Sequence, residues 1–476
     1  MELTLSYGRH GLQTTLPDRN VRHVLRMNEL PVLPDPERAV REALAAPIAS
    51  PPLADLVRDR RDAVIVVSDL TRPVPNALLL PPLLETLRQA GLLPERVTIL
   101  VATGLHRGNT ETELAEMLGP QVLASGCRIV NHMARDAESH TDLGRTPRGM
   151  PVRVDRRYVE ADLKILTGLI EPHLMAGYSG GRKAICPGLC SVETVLSWHS
   201  AEMLDPDEAR AGNLWRNPVH EEALRVADMA NALTPRPPLP GGEGGNGNGP
   251  DALLPSPGDR RSHGRGAGGE GSVFLLNVVL NEARQLTGVF AGEMRQAHLA
   301  GMEVAERQTK VVLAEPVDIV VTTSAGYPLD LTFYQGVKGM VGALPIVKPG
   351  GSIIVAQENA EGLGGPEFCE LILGQHSLDD FMAAAFGGEP CRIDQWQLQE
   401  MHKVCRHATV YSVSSLPPEV QRESFVEPAE SVEAAVAQAL AVHGPDASIA
   451  VIPEGPYVLA CLQDDLVGMR NVREMT

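Results

Sequence analysis

The densest group of chemically useful residues lies between positions 171 and 188, which read EPHLMAGYSGGRKAICPG. Glycines in this segment surround a serine and precede the adjacent Arg182 and Lys183, and His173 comes a few residues earlier. Glycines let backbone N–H groups approach an anion closely, and neighbouring cations hold its charge. The spacing fits neither a Walker loop nor a GxGxxG loop. A glycine-rich turn with a solvated basic pair is the alternative, but the density of special residues favours a phosphate cradle.

Two shorter motifs each follow a run of apolar, β-branched residues. The motif SDLTRP at 68–73 could hold an anion or sugar hydroxyls through Asp69, Thr71 and Arg72. Alternatively, Asp69 could cap the next helix and pair with Arg72. The motif ATGLHR at 102–107 places His106 at the carboxyl end of a predicted strand, where a histidine suits a general base. An exposed loop histidine is the alternative at that position.

Further candidates lie on predicted helices. His199 belongs to the helical run 192–203, and it could meet His173 at one metal ion. In the second half, Gln335 and Lys338 are three residues apart and share one helical face. That pair could hold a substrate carboxylate or could lie on a solvated face. Trp396, one of three tryptophans, could line a pocket or fill a core.

Short apolar runs alternate with longer helical patterns in both halves of the chain. The runs predict buried strands, because they are apolar throughout, at 63–68, 97–102, 163–167, 273–280, 317–322 and 352–356. Helices are predicted at 76–90, 110–118, 192–203, 333–342, 378–385 and 432–441. The alternation predicts two α/β domains with mainly parallel sheets and an active site in the cleft between them, since ligands bind at the carboxyl ends of parallel strands.

The domain boundary is expected within 305–316. We therefore predict an N-terminal cofactor-binding domain, a C-terminal substrate domain and a last segment that could pack back on the N-terminal domain, with the ranges 1–305, 310–445 and 446–476. Residues 234–271 contain twelve Gly and seven Pro among 38 positions. Such a segment buries too little apolar surface to offset its ordering entropy, so we predict a disordered insertion there.

The overall composition excludes several classes of protein. The chain has 476 residues, with 42 Lys and Arg against 60 Asp and Glu, and its net charge of −18 leaves no cationic excess for nucleic-acid phosphates. No apolar run approaches the roughly 20 residues of a membrane helix. The N-terminus lacks the basic and apolar regions of a secretory signal. Seven scattered cysteines, an odd number, favour a reducing cytoplasm over a disulfide framework.

Taken together, the motifs SDLTRP, ATGLHR, EPHLMAGYSGGRKAICPG, WHS and FYQGVKG resemble those of the nickel-pincer-nucleotide lactate racemase family. The resemblance spans nearly the whole chain outside the 234–271 segment. It implies a cofactor, the Ni(II) pyridinium-3-thioamide-5-thiocarboxylic acid mononucleotide, tethered covalently to Lys183 through its thioamide. His199 would be the protein's nickel ligand. The proteins that synthesise the cofactor would be partners during loading.

The same resemblance implies roles for the other candidates. His106 and His173 would be the two acid/base residues. The cofactor would contact a short segment at a strand end, namely Asp69, Leu70, Thr71 and Arg72. The substrate would be bound mainly by the second half of the chain, through Tyr334, Gln335, Lys338 and Trp396, together with Arg72.

The reaction that this implies is racemisation or epimerisation of a 2-hydroxy acid. Its C2–H is poorly acidic, so it leaves as hydride once the hydroxyl proton is removed, and the planar 2-keto acid accepts hydride on either face. Each enantiomer needs its own base. Lactate is the default substrate, with malate, a sugar acid or a longer aliphatic acid left open.

Two alternatives stand beside this hypothesis. One is a nicotinamide-dependent 2-hydroxy-acid dehydrogenase, which the missing GxGxxG loop disfavours. The other is a non-catalytic nickel- or nucleotide-binding protein, which would have no use for paired bases such as His106 and His173.

Overall fold

The computed structural model describes residues 1–232 and 273–464. The predicted insertion at 234–271 and the last twelve residues lie outside the described residues. Within the described ranges the strands are β1 (Glu2–Leu5), β2 (Leu12–Thr15), β3 (Val21–Val24), β4 (Ala63–Ser68), β5 (Val97–Ala102), β6 (Arg128–Asn131), β7 (His140–Arg145), β8 (Pro151–Asp155), β9 (Leu163–Leu169), β10 (Pro172–His173), β11 (Gly177–Tyr178), β12 (Val273–Leu280), β13 (Leu286–Glu293), β14 (Lys310–Leu313), β15 (Val317–Thr323), β16 (Val347–Ala356), β17 (Thr409–Val413), β18 (Glu427–Pro428), β19 (Ile449–Ile452) and β20 (Leu459–Leu462).

The helices alternate with these strands. They are α1 (Pro36–Ala45), α2 (Leu53–Val57), α3 (Asn76–Gln89), α4 (Glu111–Leu118), α5 (Pro120–Leu123), α6 (Arg156–Glu160), α7 (Val192–Trp198), α8 (Ala201–Leu204), α9 (Pro218–Ala232), α10 (Met294–Thr309), α11 (Phe333–Ala343), α12 (Pro366–Leu373), α13 (Leu378–Phe386), α14 (Gln395–His407), α15 (Pro418–Glu423) and α16 (Val432–His443). None of the helices in the described ranges combines the length and the apolar surface that a membrane span requires.

The first sheet has six strands in the order β13-β12-β9-β4-β5-β6. All neighbours are parallel except β13, which is antiparallel to β12. Strands β4 and β9 are buried along almost their whole length, because apolar cores pack on both faces of the sheet. In the parallel register Ser68 lies opposite Ala102. The motifs that follow these two strands therefore leave the sheet at the same edge.

The second sheet has six strands in the order β18-β17-β16-β15-β19-β3, and every neighbouring pair is parallel. The predicted class, two α/β units with mainly parallel sheets, is confirmed. The predicted strands at 63–68, 97–102 and 273–280 have the observed bounds. Helix α4 begins with a capping box formed by Thr110 and Glu113.

The two ends of the chain depart from the predicted ranges. Strand β3 lies at the edge of the second sheet, beside β19, so the first residues belong with that sheet rather than with a unit spanning 1–305. Strand β19 in turn lies inside the same sheet, between β15 and β3, so the 446–476 segment contributes to its core. The pairing of β3 with β19 joins residues more than 400 positions apart, which local periodicity does not register.

The helix predicted over 192–203 is interrupted. It forms as α7 and α8, and His199 occupies the position immediately after α7 with φ −102° and ψ 19°. Ser200, in extended conformation, then precedes α8. The His199 N–H still donates to the Val195 carbonyl at 3.0 Å, so His199 closes the last turn of α7, and its ring lines the cavity described below.

The turn that carries Lys183 is tied to the neighbouring strand β12. Asn277, fully buried, accepts a hydrogen bond from the Gly181 N–H at 2.9 Å. A Cβ atom on Gly180, whose φ is +76°, would lie 2.5 Å from the same Asn277 oxygen. The glycine is therefore required both by the left-handed backbone and by the close approach of the asparagine.

Replacing Asn277 tests how much its hydrogen bond to the Gly181 N–H contributes to stability. Asn277→Leu keeps a similar volume but leaves the buried Gly181 N–H unsatisfied, which should lower the free energy of unfolding by about 1–3 kcal/mol. Urea denaturation followed by circular dichroism measures the loss. Gln296→Leu, at an exposed position of α10, is the control and should change stability by no more than about 0.5 kcal/mol. Equal effects of the two substitutions would contradict the assignment.

Candidate active site

The carboxyl-end loops of the first sheet and helix α11 of the second unit enclose a cavity of about 800 Å³. It brings together residues separated by more than 300 positions. The predicted site residues that line it are Asp69, Thr71, Arg72, His106, His173, Lys183, His199, Tyr334, Gln335, Lys338 and Trp396. Leu70 is outside this lining among the described residues, and its side chain is exposed. Only part of the SDLTRP motif therefore faces the cavity.

Asp69 and His106 form the closest polar contact on one side of the cavity. Asp69 Oδ2 lies 2.6 Å from His106 Nδ1, and Thr71 Oγ1 donates to Asp69 Oδ1 at 2.7 Å. Burial raises the pKa of Asp69, but the hydrogen bond and charge of His106 outweigh it and hold that pKa below its usual value. An ionised carboxylate only accepts hydrogen bonds. His106 therefore carries a proton on Nδ1 and offers the lone pair of Nε2.

The alternatives considered for this motif are not what the structure forms. Helix α3 begins after Pro75, and Asp69 is engaged with His106 and Thr71 instead of capping it. Arg72 donates to Glu171 Oε1 at 3.4 Å rather than to Asp69. His106 is no isolated loop histidine, although 48% of its side chain is exposed to the cavity.

His173 has the opposite arrangement. Its Nδ1 accepts from the backbone N–H groups of Met175 and Ala176 at 3.3 and 3.2 Å. The lone pair is therefore on Nδ1, and a neutral ring carries its proton on Nε2. Burial, followed by the charges of Lys183 and Arg72, holds the pKa of His173 well below its usual value. The two histidines thus hold their protons on different ring nitrogens.

Lys183 lies in the short turn Gly181–Ala184 at the base of the cavity. Its Nζ is 4.8 Å from the centre of the Trp198 ring. Burial, followed by the charges of Arg72 and Arg182, holds the pKa of Lys183 well below its ordinary range. A lysine with a lowered pKa presents a neutral, nucleophilic amine.

Three neighbouring groups fix the orientation of the His199 ring. Its Nδ1 donates to the Val195 carbonyl at 3.0 Å, which leaves the Nε2 lone pair unshared. The Trp396 ring stacks on it at 4.1 Å with an interplanar angle of 23°, and Trp198 packs edge-on at 4.5 Å. Burial, then the charge of Lys183, lowers the pKa of His199 to about 3. A neutral imidazole whose other nitrogen is fixed by a carbonyl is the form that binds metals.

The second unit contributes the opposite wall. On α11, Lys338 Nζ donates to Gln335 Oε1, so the two side chains share one helical face, as their spacing predicts, and both line the cavity. Trp396 Nε1 donates to the Tyr334 hydroxyl at 2.9 Å, and Gln397 Nε2 donates to the Tyr334 carbonyl at 2.6 Å. Trp396 also packs into the apolar cluster of the first unit. It both lines the pocket and fills a core.

Three further residues belong to the site and escaped the sequence analysis. Glu171 holds Arg72 and keeps a second buried oxygen without a partner among the described residues. Asp394 lines the cavity in a left-handed conformation, and burial raises its pKa to about 6. Glu367 reaches Arg135 at 2.9 Å across the cavity mouth. Glu171 belongs to the motif EPHL, so the sequence offered a signal by which it could have been found. Asp394 is an isolated aspartate before α14 and offered no such signal.

The metal hypothesis needs revision in one respect. In residues 1–232 and 273–464 no group of three or more His, Cys, Asp and Glu side chains is placed to hold a metal ion. His173 and His199 line the same cavity, but they do not form such a set with a third ligand there. A nickel ion at His199 would have to take its other ligands from a bound molecule.

Comparison with known proteins decides the family. Residues 7–212 match the family model for the lactate racemase N-terminal domain, and residues 312–460 match that for the lactate racemase C-terminal domain. The chain belongs to the lactate racemase family. Lactate racemases are isomerases, and the chain is accordingly an isomerase of this family.

Individual relatives agree with this assignment. The lactate racemase of Thermoanaerobacterium thermosaccharolyticum is 33% identical over 462 residues, covering 96% of this chain and 98% of that protein. The lactate racemase of Lactiplantibacillus plantarum is 33% identical over 427 residues, covering 89% and 90%. The apoprotein structure of the Thermoanaerobacterium enzyme matches with a TM-score of 0.83 at 32% identity, covering 97% of this chain and all of that one. A Thermotoga maritima protein shares the fold, with a TM-score of 0.66 at 18% identity over 90% of this chain and 98% of that one.

The tautomers of the two histidines can be measured directly. In ¹⁵N-histidine-labelled protein without ligands, His106 should be protonated on Nδ1 and His173 on Nε2, because their hydrogen-bond partners are a carboxylate and two N–H groups respectively. Nitrogen NMR distinguishes the two forms, and His106→Gln and His173→Gln assign the signals. Finding the same tautomer at both positions would contradict the geometry.

Lys338 should make anion binding depend on pH. Burial, then the charge of Arg72, lowers its pKa to about 7, while Glu171 and Asp69 act in the opposite direction. The ammonium form, which attracts a carboxylate, therefore disappears as the pH rises through that value. Affinity for a small carboxylate, with pyruvate as the probe, should fall by up to about tenfold per pH unit above 7.

Titration calorimetry between about pH 6 and about pH 8.5 measures this dependence. Lys338→Met should bind weakly with a flat profile, whereas Lys348→Met, which removes a surface lysine paired with Asp318, should keep the wild-type profile. A wild-type affinity that is constant over this range would rule out the role of Lys338.

Proposed function

We propose that this chain racemises or epimerises a 2-hydroxy acid, with lactate as the default substrate, using a nickel-pincer nucleotide tethered to Lys183. The observation that carries the proposal is the shared cavity. One side holds two histidines, a neutral amine and a neutral imidazole, and the other holds a lysine and glutamine suited to a carboxylate. These are the groups that a 2-hydroxy acid and a tethered metal cofactor require together.

The residues present fit the cofactor. The Lys183 amine would form the tether, His199 Nε2 would bind the nickel, and the Asp69–Arg72 segment would contact the nucleotide. Arg72 and Arg182 place positive charge beside an anionic phosphate, and the cavity of about 800 Å³ is within the size range of small-molecule sites. When bound, the nucleotide supplies a reversible hydride acceptor for C2. The remaining chemistry belongs to the chain's own side chains.

Proton removal from the substrate hydroxyl falls to His106 for one enantiomer. Its Nε2 lone pair accepts the proton, and Asp69, 2.6 Å from Nδ1, stabilises the imidazolium that results. The loss of this proton gives the oxygen alkoxide character, which weakens the C2–H bond toward hydride departure. Lys338 and Gln335 hold the substrate carboxylate meanwhile, with Arg72 beside them.

The second enantiomer presents its hydroxyl to His173. In its resting form this ring holds a proton on Nε2, so it must move that proton to Nδ1, and give up two backbone hydrogen bonds, before it can act as the base. The equilibrium constant of a racemisation is unity, so kcat/KM is equal for both enantiomers. The unequal resting states of the histidines therefore affect kcat and KM separately.

We place this activity in the cytoplasm, where the proteins that synthesise the cofactor would load it. All seven cysteines lie in the described residues and carry free thiols, which suits a reducing compartment.

Intact-mass spectrometry tests the tether. Protein co-expressed with the cofactor's biosynthesis proteins should gain the mass of the nucleotide and interconvert the enantiomers of at least one 2-hydroxy acid. Lys183→Ala should lose both the added mass and the activity, because it removes the amine that forms the bond. Lys348→Ala, at a surface position, should retain both.

Three results would count against the proposal. An unmodified wild-type mass from a host that makes the cofactor, without activity on any hydroxy acid, would remove it. Consumption of added NAD with a hydroxy acid would instead indicate a dehydrogenase, and nickel binding without exchange at C2 would indicate a carrier.

A further inference from the structure

A second cavity, of about 300 Å³, adjoins the active-site cavity. The two share four lining residues, namely Arg72, His173, Leu174 and Lys338. The second cavity extends from there along helix α11 toward strand β20. The shared residues lie at the boundary between the reacting region and this additional space.

The interior of the second cavity is mainly apolar. Its lining includes Val341 and Leu344 from the end of α11 and Val458, Leu459 and Ala460 from the segment around β20. Apolar side chains of this kind offer few groups that could bind a charged or strongly polar part of a ligand.

Charged residues occur around the second cavity, and most of the buried ones are paired with each other. Glu171 pairs with Arg72 and keeps one buried carboxylate oxygen without a partner among the described residues. Lys310 binds Glu306 at 2.8 Å, and Lys403 binds Glu400 at 2.9 Å. Asp207 and Arg210 lie on the exposed loop at its rim. The paired charges neutralise one another, so the apolar surface decides what the cavity accepts.

Helix geometry links this space to the carboxylate-binding lysine. Lys338 and Gly342 are four residues apart on α11, so they lie on the same face of the helix. Lys338 borders both cavities, and Gly342 borders only the second one among the described residues. A substrate held by its carboxylate at Lys338 is therefore within one helical turn of the apolar space.

We propose that the second cavity receives the aliphatic substituent of a substrate larger than lactate, so that the preferred substrates are 2-hydroxy acids with unbranched or branched chains of about four carbons beyond C2. This rests on the proposed function. The methyl group of lactate needs no such cavity, whereas a 300 Å³ space is at the lower limit of pockets that enclose small ligands. Each buried methylene should raise kcat/KM about fourfold.

Substitution at Gly342 tests the proposal. A Cβ atom there would meet its nearest neighbour, the Pro456 Cα, at 3.7 Å, an ordinary contact, so Gly342→Ala fits without strain. Gly342→Leu adds a branched chain that fills the second cavity. Wild-type protein and the alanine variant should prefer 2-hydroxyhexanoate to lactate by at least about tenfold in kcat/KM. The leucine variant should lose this preference and keep its activity on lactate.

A binding measurement separates this inference from the proposed function. Calorimetry on protein without cofactor should show tighter binding of 2-oxohexanoate than of pyruvate in the wild type and the alanine variant, and equal binding in the leucine variant. Racemisation of lactate with equal or poorer use of the longer acid would overturn the inference and leave the proposed function intact. A leucine variant that retains the preference would overturn it as well.

If the leucine variant fails to fold, a chain-length series on wild-type protein decides the matter. Affinity should rise from pyruvate through 2-oxobutyrate to 2-oxohexanoate, and a flat or falling series would overturn the inference. Absence of any racemisation removes the proposed function, and the binding series then still shows whether the cavity accepts the chain.

Discussion

The site depends on positive charge that the protein leaves uncompensated beneath an enclosed cavity. Arg182 is fully buried, and its hydrogen-bond partners among the described residues are two backbone carbonyls, those of Ala176 and Tyr178, at 2.6 and 3.0 Å. Burial lowers the pKa of the Arg182 guanidinium to about 9. In a medium of low dielectric constant this charge acts on every neighbour. The charge of Arg182 contributes to lowering the pKa of both Lys183 and His173, which favours their neutral forms.

Both units of the fold contribute walls to the cavity above Arg182. The parallel strands of the first sheet bring His106 and Asp69 to one edge, and the hairpin of β10 and β11 carries His173 beside them. The second unit then covers them with α11 and with the start of α14. Neither unit alone forms the cavity, since its walls come from both. The side chains proposed to act as acid/base groups and most of those proposed to bind the substrate therefore come from separate units.

Much of this was accessible from the sequence, and the reasons differ by residue. Strands such as β4 and β5 are uniformly apolar and directly precede polar motifs, so both their existence and the position of Asp69 and His106 followed from local pattern. The break between α7 and α8 did not, because the residues around His199 are compatible with a continuous helix and tertiary packing ends it. Strand β3 has four residues with two exposed side chains, and its partner is at the other end of the chain. Contacts such as the 62-residue span between Tyr334 and Trp396 carry no local signal at all.

The stacking of Trp396 on His199 has a consequence for the working cycle. The indole comes from the second unit and the imidazole from the first, and the two stacked rings have their centres 4.1 Å apart, so the indole covers one face of the imidazole. Any separation of the two units wide enough to exchange a bound acid also lifts the indole away. Each opening of the cleft would then also expose His199 to water. A protein that opens often would therefore lose more readily any ligand bound to the His199 ring nitrogen.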